Sequence, residues 1–136
     1  MSASAELAWV QPADVARIWP HVAHLIAGAM ARGGMGRFED VERDVLGNNA
    51  YLWLAIDGSA VLAAAVTKVT AEQDHRLCTI VACGGDDWRR WGALIEGLER
   101  YARAEGCKRI EICGRPGWLK RLPGYRLAKI VIRKEL

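Results

Sequence analysis

The sequence is poor in metal-ligating patterns. Its four cysteines, at 78, 83, 107 and 113, form no Cys-x-x-Cys pair, and its histidines are His21, His24 and His75. A structural zinc site needs about four well-placed ligands, so this spacing excludes one. His21 and His24 share a helical face without a third ligand and read as surface or packing residues. The cysteines lie mostly in apolar strand context and are expected to be reduced core thiols. Long apolar runs are absent too: none reaches the roughly 18 residues of a membrane span. Met1 to Glu6 has no basic region followed by a hydrophobic one, so no secretory signal is expected. There is no internal repeat, low-complexity tract or linker long enough to divide the chain. A single domain over residues 1–136, in the cytoplasm, is the resulting expectation.

What is present is a core. Apolar residues make up 51% of the 136 positions, which excludes a disordered chain. Charge is uneven: residues 1–86 hold 6 Lys/Arg against 10 Asp/Glu, and residues 87–136 hold 13 against 6. A basic half suits an anionic partner such as a nucleotide cofactor, nucleic acid or an acidic protein face, or is simply a solvated surface. No nucleic-acid-binding motif accompanies it, so that partner ranks last.

The clearest signal runs from Cys83 to Cys113. Trp88, Trp91, Ile95, Leu98 and Ala102 recur at three- and four-residue steps and predict one unbroken amphipathic helix. Arg89, Arg90, Glu96, Glu99, Arg100 and Arg103 fall on its other side. Glu96 with Arg100 and Glu99 with Arg103 are acid-before-base pairs four apart. Asp86 or Asp87 is placed to cap the start, and Gly106 to end the helix in the left-handed conformation. Strands at Arg76–Ala82 and Lys108–Cys113 flank it, which completes a β-α-β unit.

Upstream, Ala8-Trp9-Val10 reads as an edge strand. A helix follows from Pro12 to about Arg32, with a kink or break expected at Pro20. Gly33-Gly34-Met35-Gly36 reads as a connector and Phe38–Leu46 as a short helix ended by Gly47-Asn48-Asn49. Tyr51–Ile56, the Asp57-Gly58 turn, Ala60–Thr70 and His75–Ala82 form a three-strand antiparallel meander. Downstream, Gly114-Arg115-Pro116-Gly117 breaks the chain and Trp118–Leu122 is a helical turn. Tyr125–Arg133 alternates like a last strand.

This order of elements resembles the GNAT acetyltransferase family over nearly the whole chain. Leu94 to Cys107 is similar to that family's central helix, and Gly124-Tyr125 to the Gly-Phe that opens its last strand pair. The fold class implied is α/β (α+β): a mixed, mostly antiparallel sheet with a central β-α-β unit and helices on both faces. The cofactor implied is acetyl-CoA or another acyl-CoA, with no metal, and the implied reaction is acyl transfer to an amine. By resemblance the acyl-CoA would lie where the two central strands splay. Its thioester would meet backbone near Val81 and Ala82, and its pyrophosphate the helix start, where free N–H groups attract anions. The candidate cofactor-binding residues are therefore Val81, Ala82, Cys83, Gly84, Gly85, Arg89 and Arg90.

The sequence departs from the family pattern in two places. The family loop, Arg/Gln-x-x-Gly-x-Gly/Ala, falls here on Asp86, Arg89 and Trp91, so Gly84-Gly85 and the two arginines would have to substitute for it. The family's tyrosine acid falls on Lys120, with Trp118 nearby, and no catalytic base or acid is assigned. Ala64-Ala65-Val66-Thr67, Cys83-Gly84-Gly85, Gly106-Cys107 and Gly114-Arg115-x-Gly117-Trp118 further resemble small GNAT-like proteins of phages and prophages. That likeness implies a fold and a genomic setting more than a reaction; since fold does not fix function, a second reading stands beside the enzyme: a non-catalytic assembly or host-interaction protein with a phage or host protein partner, virion-associated if phage-encoded. Trp9 and Trp118 are its candidate interface residues. The oligomeric state is left open by the sequence.

Overall fold

A computed structural model describes residues 5–33 and 36–136. Gly34 and Met35 of the expected connector lie outside the described residues, as do residues 1–4 of the segment read for a signal. The strands are β1 (Glu6–Trp9), β2 (Tyr51–Asp57), β3 (Ala60–Glu72), β4 (His75–Gly85) and β5 (Cys107–Ile112). They form one sheet in the order β1-β2-β3-β4-β5. Every pairing is antiparallel except β4 with β5, which is parallel. This is the mixed sheet with a central β-α-β unit that the sequence predicts.

Alternation along the strands gives the sheet two apolar faces. Leu52, Leu54, Ala64, Val66 and Ala82 join one core with α1 (Pro12–Gly33) and α2 (Phe38–Leu46). Trp53, Ala55, Ala63, Ala65, Ile80 and Cys83 join the other, with Trp91, Ile95 and Leu98. The single helix α1 carries Pro20 inside it, rather than the two abutting helices that were one expectation. Its buried face includes Trp19, whose Nε1 donates to Glu42 Oε2 at 2.8 Å and ties α1 to α2. α2 ends at Gly47-Asn48-Asn49 as predicted, with Asn48 as the left-handed residue at φ 59°.

Two expectations are corrected. The helix after β4 is not unbroken. It comprises α3 (Trp88–Trp91), a 3-10 turn (Gly92–Leu94) and α4 (Ile95–Ala104). Trp91 takes φ −132°, outside the helical range, because its indole Nε1 turns back to donate to Asp86 O at 2.9 Å. Ile95, Leu98 and Ala102 are nonetheless buried as the stripe predicts, and Gly106 ends α4 at φ 79°. The second correction is at the C-terminus. After α5 (Trp118–Arg121), Tyr125–Arg133 is not a strand: the tail runs beyond the sheet without a ladder. Its period is that of a strand, but no strand pairs with it.

Candidate functional site: the gap between β4 and β5

The β4–β5 ladder stops early. Its last pair is Ile80 with Ile112, followed by one bond from Cys113 N to Ile80 O at 3.0 Å. Residues 82–85 of β4 continue against β3 alone. At the same point β4 bulges. Val66 pairs with Ala82 and Thr67 with Ile80, so Val81 is the extra residue, left out of the ladder. The bulge also puts Ile80 and Cys83, three apart, on one face. Three features therefore coincide: the strands part, the backbone of Val81 lacks a β3 partner, and a cleft opens.

That cleft has a volume of about 30 Å³. Val81, Ala82 and Cys83 form one wall, Cys113, Gly114 and Arg115 another, and residues of the end of α1 (Ala29, Met30, Arg32 and Gly33) the third; Trp118 completes the lining. Three of the seven predicted residues, Val81, Ala82 and Cys83, thus come together. Cys113, at the end of the second central strand, joins Cys83 at the splay as its position predicts; sequence reading missed Ala29, Met30, Arg32, Gly33, Gly114 and Arg115 as cleft residues. Close approach of α1 to the segment after β5 depends on small residues. A Cβ on Gly33 would sit 3.3 Å from Gly114 Cα, and one on Gly114 would sit 2.6 Å from Trp118 Nε1. The run Gly114-Arg115-Pro116-Gly117 was the available signal.

The other four predicted residues are placed differently. Gly84 packs on α1: a Cβ there would lie 2.5 Å from Leu25 O. Gly85 packs on β3, where a Cβ would lie 2.3 Å from Leu62 O. Arg90 hydrogen-bonds and ion-pairs with Asp57 at the β2–β3 turn. Arg89 is exposed on α3. Asp87 precedes α3 in the left-handed conformation, at φ 56°, and its side chain caps nothing. A four-residue helix running into a 3-10 turn offers little aligned dipole, and Asp86 and Asp87 add negative charge there.

Aromatic side chains close this end. The rings of Trp88 and Trp91 meet edge-on at 4.8 Å and those of Trp88 and Trp118 at 5.1 Å; the Arg121 guanidinium lies 5.3 Å from the Trp88 ring. Trp118 is therefore partly buried, whereas Trp9 is 42% exposed.

The titratable groups near the cleft are poor proton carriers at neutral pH. Burial pushes the Cys83 thiol up to about 12. Burial and then the Glu111 charge push Cys113 up, against the pull of Lys129. All four cysteines are free thiols. Tyr125 donates its hydroxyl to Glu99 at 2.7 Å, and burial followed by that bond raises its pKa. Lys120 is exposed on α5. Among the described residues, no three His, Cys, Asp or Glu side chains are grouped to hold a metal ion, and no helix is long and apolar enough to cross a membrane.

The architecture is the GNAT fold, and the solved structures that share it include GNAT-family acetyltransferases. An aminoglycoside acetyltransferase from an uncultured soil metagenomic sample, solved with sisomicin, aligns with a TM-score of 0.70 at 13% identity, over 97% of this chain and 96% of that one. A GNAT family acetyltransferase of Staphylococcus aureus aligns at 0.65 and 15% identity over 100% of both chains. A Trypanosoma brucei acetyltransferase aligns at 0.65 and 14% identity, over 98% and 100%. No protein-family model matches the sequence, and no curated protein does. At these identities the likeness concerns the fold.

Proposed function

We propose that the protein is an acyl-CoA-dependent N-acyltransferase that grips the acyl end of its cofactor and has largely given up the pyrophosphate. The observation that carries this is the Val81 bulge at the point where β4 and β5 part. An acyl thioester supplies an activated acyl group. The backbone of Val81 and Ala82 would hold that group's oxygen, with Cys83 and Cys113 as uncharged walls. The residues fit at this end. They do not fit at the phosphate end, where Arg90 is held by Asp57 and the loop by the Trp91 indole.

The cleft is narrow. About 30 Å³ holds about two waters, whereas small-molecule pockets run to about 300–1,000 Å³. Entry would require Trp118 and the end of α1 to part. The charged side chains that line the cleft, Arg32 and Arg115, are both cationic. An acceptor amine with an anionic group suits them, and a polycation such as an aminoglycoside does not. With no carboxylate or imidazole among the lining residues, the acceptor would arrive as the free base, so the rate would rise with pH toward the amine's own pKa.

The closed phosphate end also favours a second reading: the fold kept as a binding surface for a protein partner, of phage or host if the gene is phage-borne. Thermal-shift titration separates the two. For the enzyme, acetyl-CoA and S-acetyl-pantetheine should stabilise the protein with affinities within about fivefold of each other, since the phosphates add little. Failure of both ligands to shift the melting temperature at millimolar concentration would sink the enzyme reading and leave the scaffold.

A further inference from the structure

A second cavity lies on the face of the sheet away from α1, under the interruption between α3 and α4. Its volume is about 20 Å³. The small residues Ala55, Ala63 and Ala65 of β2 and β3 form its floor, and Trp91, Ile95 and Leu98 its roof. Among the described residues, Cys83 alone lines both this cavity and the cleft at the splay. The Val81 bulge is the cause. One added residue in β4 turns Cys83, in place of Ala82, onto the α4 face beside Ile80, while Ala82 joins the α1 core. The irregularity that frees the Val81 backbone thus also carries a side chain from the cleft into the core under α4.

The cavity suits hydrocarbon. Its side chains are apolar, and its two indoles have their N–H groups committed elsewhere. Trp53 Nε1 donates to Thr67 Oγ1 at 2.9 Å, and Trp91 Nε1 donates to Asp86 O at 2.9 Å. The Cys83 thiol is left as the one weakly polar side-chain group. A water there would lack the two to four partners it needs, and apolar cavities of this kind stay dry. A volume of about 20 Å³ is slightly more than one water-sized sphere, which gives room for the last one or two carbons of a chain and none for a ring.

We infer that this cavity receives the end of the acyl chain, so that the preferred donor carries a short saturated acyl group longer than acetyl, such as propionyl or butyryl. The inference rests on the acyl-transfer reading and names its donor. With the acyl oxygen on the backbone at Val81 and Ala82, the chain passes Cys83 and its end lies against Ala65, Ile95 and Leu98. Chain length leaves the chemistry unchanged. The amine nitrogen bonds the acyl carbon, the C–S bond breaks, and the thiol leaves with the proton that the amine gives up. Cys83 is here the partition between two spaces and takes no acyl group itself.

Calorimetry on the full chain with S-butyryl-pantetheine and S-acetyl-pantetheine tests it. The butyryl thioester should bind about tenfold tighter, as two further buried methylenes should give. Its heat-capacity change on binding should be the more negative, the mark of apolar burial. Ala65 lines the cavity and not the cleft, so Ala65→Val fills the one without touching the other. That variant should lose the butyryl preference and keep the native affinity for the acetyl thioester. Ala55→Val, with the same expectation, is the second variant should the first impair folding. Equal affinities in the native protein overturn the proposal and leave acyl transfer standing, whereas binding of neither thioester sinks both. A butyryl preference that survives in a folded filling variant also overturns it, because the chain would then lie elsewhere.

Discussion

At the scale of single residues, the two glycines after Cys83 illustrate what one letter can hide. Gly-Gly beside a helix start has the composition of an anion-binding loop, and of a place where two backbones press together. Here the pressing is the role: each glycine faces backbone at a distance that no Cβ tolerates. Gly84→Ala would drive its methyl against Leu25 O of α1, and neither β4 nor α1 has a flexible end there to yield. We expect a loss of about 1–3 kcal/mol, the usual cost of overfilling a packed site, read as a lower urea midpoint at unchanged slope. A stabilised or neutral variant would show that α1 is loosely held. The sequence states the residue; only the approach of α1 decides between the chemical and the steric use of it. The same holds for Tyr125. The sequence offers it as a core aromatic, and the structure adds that its hydroxyl is committed to Glu99.

At the scale of elements, periodicity was legible wherever burial alone decides the structure. Both core helices of the α1 face, the meander and the stripe Ile95, Leu98, Ala102 follow from it, with boundaries displaced by a few residues. It failed where a side chain overrules the backbone. The indole of Trp91 bonds Asp86 O, and Trp88 folds over Gly92, whose Cβ would lie 2.4 Å from that ring. Together they interrupt a helix whose pattern is continuous. It also failed at Tyr125–Arg133, where alternation predicts a strand but pairing needs a neighbour. The splay was legible only as a place; of the residues on its far walls, Arg32 ends α1, whose period marks only its core face, and Arg115 lies in a glycine-proline break with no period. One element-scale consequence concerns Arg90. Asp57, the last residue of β2, pairs with this arginine of α3 and occupies its guanidinium. Asp57→Asn should release it. Calorimetry should then find CoA binding about two- to fivefold tighter and S-acetyl-pantetheine unchanged, the worth of one exposed charge contact. Equal gains for both ligands would mean that the change acts through the fold instead of through the phosphates.

At the scale of the whole molecule, the sheet is the only layer that both cores share. Ile26 is 0% exposed in the α1 core and Leu98 is 1% exposed in the α4 core. These side chains do not share a cluster, yet both cores rest on β2, β3 and β4, and alternate residues of β2 and β3 face opposite cores. Losing either face strips one side of every central strand and exposes the apolar residues between. The two cores should therefore melt together. Ile26→Ala and Leu98→Ala should each cost about 2–5 kcal/mol, the range for deleting a large buried aliphatic side chain. In both variants the tryptophan fluorescence and far-UV circular dichroism transitions should coincide, as they do when no intermediate is populated. The probes are well placed for this: Trp19 reports on the first core, and Trp53 and Trp91 on the second. Two separated transitions in Leu98→Ala, with the second core lost first, would show that the sheet does not couple its faces. The α1 side would then stand as an independent unit, and the cleft between them would be a seam along which the molecule opens.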